Sequence, residues 1–182
     1  QNSQLDQQMY GLYSQLQSKY DNWIFLLGGR QDFVNSKYRN RAGTTSGLAD
    51  LDGWDHRFSW QTGLMYQFEN GISPYVSYST AFTPVQQSSQ PNGELLDPIL
   101  SHQYEAGLKF EPAGWNTTFS AAVFQLTKTH DVVAGSNGFS RQVGESESKG
   151  IELEANSDIT KNLSLTASYT YTDARVTKDA PG

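Results

Sequence analysis

Leu163-Ser-Leu-Thr-Ala-Ser-Tyr-Thr-Tyr-Thr172 is the stretch whose reading decides the fold. Leu163, Leu165, Ala167, Tyr169 and Tyr171 alternate without a break with Ser164, Thr166, Ser168, Thr170 and Thr172. Successive side chains of an extended chain point to opposite faces, so this segment has one apolar, aromatic face and one small, hydroxylic face. Such a strand lies between an apolar and a polar medium. The same period recurs upstream. Phe58, Trp60, Thr62, Leu64, Tyr66 and Phe68 alternate with Ser59, Gln61, Gly63, Met65 and Gln67. His102, Tyr104, Ala106, Leu108 and Phe110 oppose Gln103, Glu105, Gly107 and Lys109, and Ile151, Leu153 and Ala155 oppose Glu152 and Glu154. No stretch carries the i, i+3, i+4 repeat of an amphipathic helix, so little helix is expected.

Turn chemistry punctuates these strands. Lys19 to Asn22, Glu69-Asn70-Gly71, Glu111 to Gly114 and Ser157 to Asn162 are short and rich in Asn, Asp, Gly or Pro. Longer segments lie between them, near Asn35 to Asp55, Thr83 to Ser101 and Val132 to Phe139. Eight strands are predicted, near 8–19, 23–34, 57–68, 72–82, 102–111, 116–131, 140–156 and 163–175. Because short and long connections alternate, an antiparallel up-and-down meander gathers the tight turns at one end and the long loops at the other. The strands exceed the usual length of about 5–6 residues and suffice for the roughly 9–11 residues of a tilted bilayer crossing. Trp23, Phe68, Phe110 and Trp115 fall beside the tight turns, and Tyr78 and Phe82 toward the long loops, as two aromatic girdles would. The fold expected is all-β, a wall of an outer-membrane barrel. A soluble β-sandwich with an aromatic core is the alternative, but sandwiches rarely repeat one-sided apolar faces on so many long strands.

Composition narrows the classes. The chain has 182 residues, 36% of them hydrophobic, 18% charged and 13% aromatic, with a formal net charge of -6. That length fits one domain or part of a larger one, and the aromatic content argues against disorder. The longest apolar run, Trp23 to Leu27, is far short of a spanning helix of about 20 residues. Net negative charge argues against nucleic acid as a partner. With no cysteine, disulfide scaffolds, Cys-ligated zinc and thiol catalysis are excluded. A start at Gln1 without an apolar signal segment suggests a processed or cut-out piece.

Five segments stand in order along the chain: Trp23-Ile-Phe-Leu-Leu-Gly-Gly-Arg-Gln-Asp32, Ile72-Ser-Pro-Tyr-Val-Ser-Tyr-Ser-Thr-Ala-Phe-Thr-Pro84, Tyr104-Glu-Ala-Gly-Leu-Lys109, Ser148-Lys-Gly-Ile-Glu-Leu-Glu154 and Asn162-Leu-Ser-Leu-Thr-Ala-Ser-Tyr-Thr-Tyr-Thr-Asp173. Together they resemble the barrel of TonB-dependent siderophore receptors, in particular the ferrichrome and ferrioxamine (ferric hydroxamate) branch. The resemblance implies a 22-stranded barrel in the bacterial outer membrane, with an N-terminal plug that reaches the TonB energy-coupling complex. Eight strands in 182 residues use about 23 residues each, so 22 strands at that rate need about 500. Residues 1–182 are therefore expected to be a partial barrel domain, its middle to late strands, with plug and C-terminal strands outside it. The implied partners are a ferric siderophore, the protein's own plug, the TonB complex, and outer-membrane lipid with lipopolysaccharide. No cofactor is implied, because iron arrives already chelated by the siderophore.

Parity assigns the faces. Arg30 and Asp32 share a face with Ile24, Leu26 and Gly28, whereas Phe25, Leu27, Gly29, Gln31 and Phe33 lie opposite. A charge facing lipid costs about 2–4 kcal/mol at midplane, so Arg30 and Asp32 belong to the lumen. Glu105, Lys109, Glu152 and Glu154 fall inward by the same rule, facing either a plug or hydrated space.

Enzyme constellations are poor, and no catalytic residue is assigned. Ser146-Glu-Ser-Lys149 matches S-x-x-K only literally, because that motif needs a helix start. His56, His102 and His130 are scattered. Asp50, Asp52 and Asp55 in one loop could hold a hard cation or simply be solvated, and no metal site is assigned. A wrapped ferric hydroxamate needs aromatic surface and hydrogen-bond donors from its receptor, not metal ligands. The candidate ligand contacts are Tyr38, Trp54, Phe82, Gln86 and Phe139, on the long loops. A passive barrel, a small pore or an autotransporter translocator, is the alternative function.

Overall fold

The computed structural model describes residues 3–40, 51–85, 97–134, 140–142 and 144–178. Ten strands follow one another: β1 (Ser3–Tyr20), β2 (Trp23–Asn40), β3 (Leu51–Tyr66), β4 (Ile72–Thr83), β5 (Ile99–Phe110), β6 (Thr117–Thr129), β7 (Val132–Ala134), β8 (Ser140–Gln142), β9 (Glu145–Thr160) and β10 (Leu163–Lys178). Eight of them form one sheet in the order β1-β2-β3-β4-β5-β6-β9-β10, every pair antiparallel, while β7 and β8 pair only with each other. The expected all-β meander is what the chain forms, and the described residues contain no helix.

The tight turns sit side by side at one end. Tyr20 pairs with Trp23 across Asp21-Asn22, and Asp21 takes a φ of 53°, a left-handed conformation that a short polar side chain tolerates. Gly71 and Gly114 take φ of 84° and 80° in the next two turns. Neighbouring turns are bonded to one another. Gln67 N donates to Asn22 O at 2.8 Å, Glu111 N to Gly71 O at 2.9 Å and Asp158 N to Asn116 O at 2.8 Å. Asn70 and Asn162 thus lie at the same end, and Trp54 lies toward the other end of β3.

The sheet is a single layer. Among the described residues only Val34 and Ala122 are buried apolar side chains, while Leu27, Phe58, Leu108, Val123, Leu153, Leu165, Tyr169 and many others stay exposed. Register carries one set of faces through the whole sheet. Phe25 pairs with Leu64, Leu64 with Val76, Val76 with Ala106, Ala106 with Val123, Val123 with Ile151 and Ile151 with Tyr171. Directly opposed residues share a face, so this row is apolar from β2 to β10. A sandwich would have covered it with a second sheet.

Several boundaries differ from the sequence expectation. Strands β1, β2 and β3 run further toward the long-loop end than the alternation suggests, so Asn35–Asn40 and Leu51–Asp55 are paired strand. Only residues 41–50 separate β2 from β3. Apolar alternation is needed only where a strand faces an apolar medium, whereas the backbone ladder continues past it. The predicted turn Ser157 to Asn162 shrinks to Lys161-Asn162 for the same reason. The predicted loop Val132 to Phe139 begins with β7, and the predicted strand 140–156 is divided into β8 and β9. Asp52 and Asp55 are strand residues on opposite faces of β3, so they do not share a loop; Asp50 lies outside the described residues. Ser146 to Lys149 lie within β9, not at a helix start.

Candidate functional site: a charged face and a long-connection rim

On the face opposite the apolar row, register gathers every charge assigned inward. Arg30 is opposite Ser59 and Asp32 opposite Arg57. Glu105 is opposite Ser77 and Phe124, Lys109 opposite Ser73 and Ser120, Glu152 opposite Ala122 and Thr170, and Glu154 opposite Ser120 and Ser168. Arg30 Nε donates to both oxygens of Asp32, at 2.8 and 2.9 Å. Asp32 is only 3% exposed, so the paired Arg30 offsets a charge otherwise costly to bury. The pair lies against Gly11, where a Cβ would strike Arg30 Nη2 and come within 2.6 Å of Asp32 Oδ1.

A second cluster centres on Glu105. Tyr75 Oη donates to Glu105 Oε1 at 2.7 Å and Gln103 Nε2 donates to Oε2 at 3.0 Å. Lys109 Nζ stands 5.9 Å from the Tyr75 ring centroid. The ring lies against Gly107, where a Cβ would come within 2.7 Å of its edge atoms, and Phe124 lies against Gly150, where a Cβ would meet it at 2.6 Å. Both aromatics are thereby held along the wall of the charged face. Tyr75 and Gln103 are functional candidates that motif reading missed; their signal is strand parity alone. Further along, Thr166 Oγ1 donates to Asn156 Oδ1 at 2.8 Å, Ser164 Oγ donates to Asp158 Oδ1 at 2.7 Å, and Asn156 Nδ2 donates to Glu154. The hydroxyl face of β10 therefore feeds a carboxylate-rich trough.

The apolar face carries its aromatics in two rows. Near the tight turns, Trp23 meets Tyr66 at 4.8 Å between centroids, Tyr66 meets Phe68 at 4.7 Å, and Phe110 meets Phe119 at 6.3 Å. Toward the other end, Tyr78 stands 4.9 Å from Trp60 and 4.8 Å from Tyr104, with His102 5.9 Å from Tyr104. Tyr104 and Phe110 both lie on β5, a separation of about 20 Å along the strand.

The ligand candidates are less gathered. Trp54 is 71% exposed near the start of β3. Phe82 is half-buried and opposite Leu100. By register both share the side of the aromatic rows, not of the charged face. Tyr38 lies in β2 opposite Leu51. Gln86 and Phe139 lie outside the described residues. At the same end, Glu145 accepts from Lys178 Nζ at 2.8 Å and from Thr177 Oγ1 at 2.9 Å, which holds its carboxyl below the usual carboxylate range. No cluster of three or more metal-ligating side chains occurs among the described residues.

A one-layer antiparallel sheet with one aromatic-banded apolar face and one charged face, turned tightly at one end only, is the wall of a membrane β-barrel. The chain belongs to the TonB-dependent receptor family: the model of the TonB dependent receptor-like β-barrel matches residues 1–182. It is 42% identical over 172 residues to the ferrioxamine B receptor of Salmonella typhimurium, covering 94% of this chain and 24% of that protein. It is 37% identical over 175 residues to the ferrichrome outer membrane transporter/phage receptor of Escherichia coli, covering 95% of this chain and 23% of the relative. The chain thus spans about a quarter of the length of these relatives. Among solved structures it resembles the siderophore receptor PiuA of Acinetobacter baumannii, with a TM-score of 0.72, 25% identity and coverage of 96% of this chain and 27% of that one. The alcaligin outer membrane receptor of Bordetella pertussis matches in fold with a TM-score of 0.75 at 23% identity, covering 98% of this chain and 32% of that one.

Proposed function

We propose that this chain is the middle-to-late barrel wall of a bacterial outer-membrane receptor that binds a ferric siderophore of the hydroxamate type and imports it using the TonB complex. The observation that carries the proposal is the 42% identity, across 94% of the chain, to a receptor named for ferrioxamine B. The physical layout supports it. The apolar face meets outer-membrane lipid and lipopolysaccharide, and the charged face lines the lumen. Arg30, Asp32, Glu105, Lys109, Glu152 and Glu154 then face the protein's own plug, whose movement couples the barrel to TonB. Transport of this kind makes and breaks no covalent bond in the cargo, so the protein is proposed to be no enzyme. It needs no cofactor, since the hydroxamates already fill the coordination sphere of iron.

The long-connection end is the side from which ligand enters, and Tyr38, Trp54, Phe82, Gln86 and Phe139 are its proposed contacts. Trp54 is the sharpest of these, a large exposed aromatic at a strand tip. Its register places it on the outer side, so contact with ligand requires the strand tip to lean over the mouth. Titration of the intact receptor with gallium-loaded ferrioxamine B, followed by tryptophan fluorescence, tests the proposal. Saturable binding is expected, with Trp54→Ala or Phe82→Ala weakening it by at least about 2 kcal/mol, roughly 30-fold. Asp52→Ala is expected to change nothing. Tight binding of free ferric ion, with none of the gallium complex, would overturn the proposal.

A further inference from the structure

Gln142, the last residue of β8, holds two separate stretches of backbone with one side chain. Its Oε1 accepts from Asp97 N at 3.1 Å, and its Nε2 donates to Asp97 O at 2.6 Å and to His130 O at 3.0 Å. A planar amide that pairs both the N–H and the C=O of one residue reproduces a rung of a β-ladder between β8 and the entry of β5, which share no strand pairing, just beyond Leu100–Thr129 where the β5–β6 ladder ends. Asp97 leads into β5 and is the near end of the connection that follows β4. His130 closes β6, at a left-handed φ of 57°, and its N donates to Gly144 O at 3.3 Å. Asp131 completes the base of the β7–β8 hairpin, accepting from Val132 N at 3.0 Å and from the Ser146 hydroxyl. The hairpin base is therefore braced within itself, and Gln142 ties that braced base to the entry of β5.

We propose that Gln142 is a positioning residue of the receptor mouth: it couples the entry of β5 at Asp97 to the base of the β7–β8 hairpin at His130, so that these two hold or release together. The assignment depends on its being an amide. Leucine fills similar space but offers neither donor nor acceptor, and glutamate at neutral pH keeps the acceptor for Asp97 N while losing both donations. The functional consequence rests on the proposal that this end receives ligand; the coupling itself does not.

Hydrogen–deuterium exchange on the intact receptor without ligand tests it. Gln142→Leu is expected to speed exchange about tenfold or more both at Asp97 and in the segment from His130 to Val132, because the bonds that couple their opening are lost together. Gln142→Glu is expected to accelerate both, with the smaller effect at Asp97. Gln103→Leu, which removes a bond on the charged face, is expected to leave both segments unchanged. Unchanged exchange in Gln142→Leu, or acceleration in the hairpin with none at Asp97, would overturn the coupling. Since no siderophore is added, failure of the coupling and failure of the siderophore proposal are separate results.

Discussion

At residue scale, the glycines separate backbone from packing. Gly71 and Gly114 both take positive φ, but a Cβ on Gly71 would strike Glu111 O whereas one on Gly114 meets nothing within 4 Å. Gly114→Ala is expected to cost about 1 kcal/mol, the penalty of a left-handed non-glycine residue. Gly71→Ala is expected to cost clearly more, because the methyl would strike the backbone carbonyl of Glu111 at the next turn, which Glu111 N, bonded to Gly71 O, holds in place. Denaturant unfolding of the intact receptor from bilayers measures both, and equal costs would contradict the turn-to-turn contact. The turns themselves were readable from Asp21-Asn22 and Asn70-Gly71. The aromatic cover of Gly107 by Tyr75 was not, since it depends on which residue of β5 stands opposite which of β4, and that register is set by partners far along the chain.

At the scale of the element, β10 shows how far alternation can be trusted. Leu165, Ala167, Tyr169 and Tyr171 are opposite Ser157, Ala155, Leu153 and Ile151, on the apolar face, and Thr166 is opposite Asn156 on the charged one. Leu165→Arg is therefore expected to destabilise the membrane-inserted receptor by about 2–4 kcal/mol if it lies near midplane, and Thr166→Arg by far less. Equal losses in a bilayer folding assay would reverse the faces. The strand tips follow another rule. Beyond the aromatic rows no apolar medium demands a pattern, so the ends of β1, β2 and β3 and the β7–β8 hairpin were not legible. Polar contacts hold such tips, as Lys178 and Thr177 hold Glu145. Because the Glu145 carboxyl is held low, its contribution is present above the ordinary carboxylate pKa and is lost as pH falls through the lowered value. Exchange protection at this end of β9, taken relative to the intrinsic exchange rate at each pH, is expected to fall as pH drops through the lowered Glu145 value, and Glu145→Gln is expected to remove that loss of protection.

At the scale of the whole molecule, the fold was legible because a bilayer imposes the same demand on every strand. Alternation, alternating connection lengths and aromatic rows are consequences of one apolar slab with water on both sides. The proposed ligand contacts were less legible for a matching reason. Connections that face water are free of that demand, and the proposed recognition of ligand there depends on which tips come together, which parity cannot say. The register of Trp54 and Phe82 shows the limit, since their aromatic chemistry suits a ligand contact while both lie on the outer side. The central claim, that this wall belongs to an energy-coupled siderophore importer, is tested most directly by uptake of radioiron-labelled ferrioxamine B into cells that lack their own hydroxamate receptors and carry the full-length parent protein. Saturable uptake is expected, abolished by removal of TonB while binding at the cell surface persists. Uptake that survives the loss of TonB, accompanied by entry of unrelated small solutes, would contradict the account and identify a passive pore.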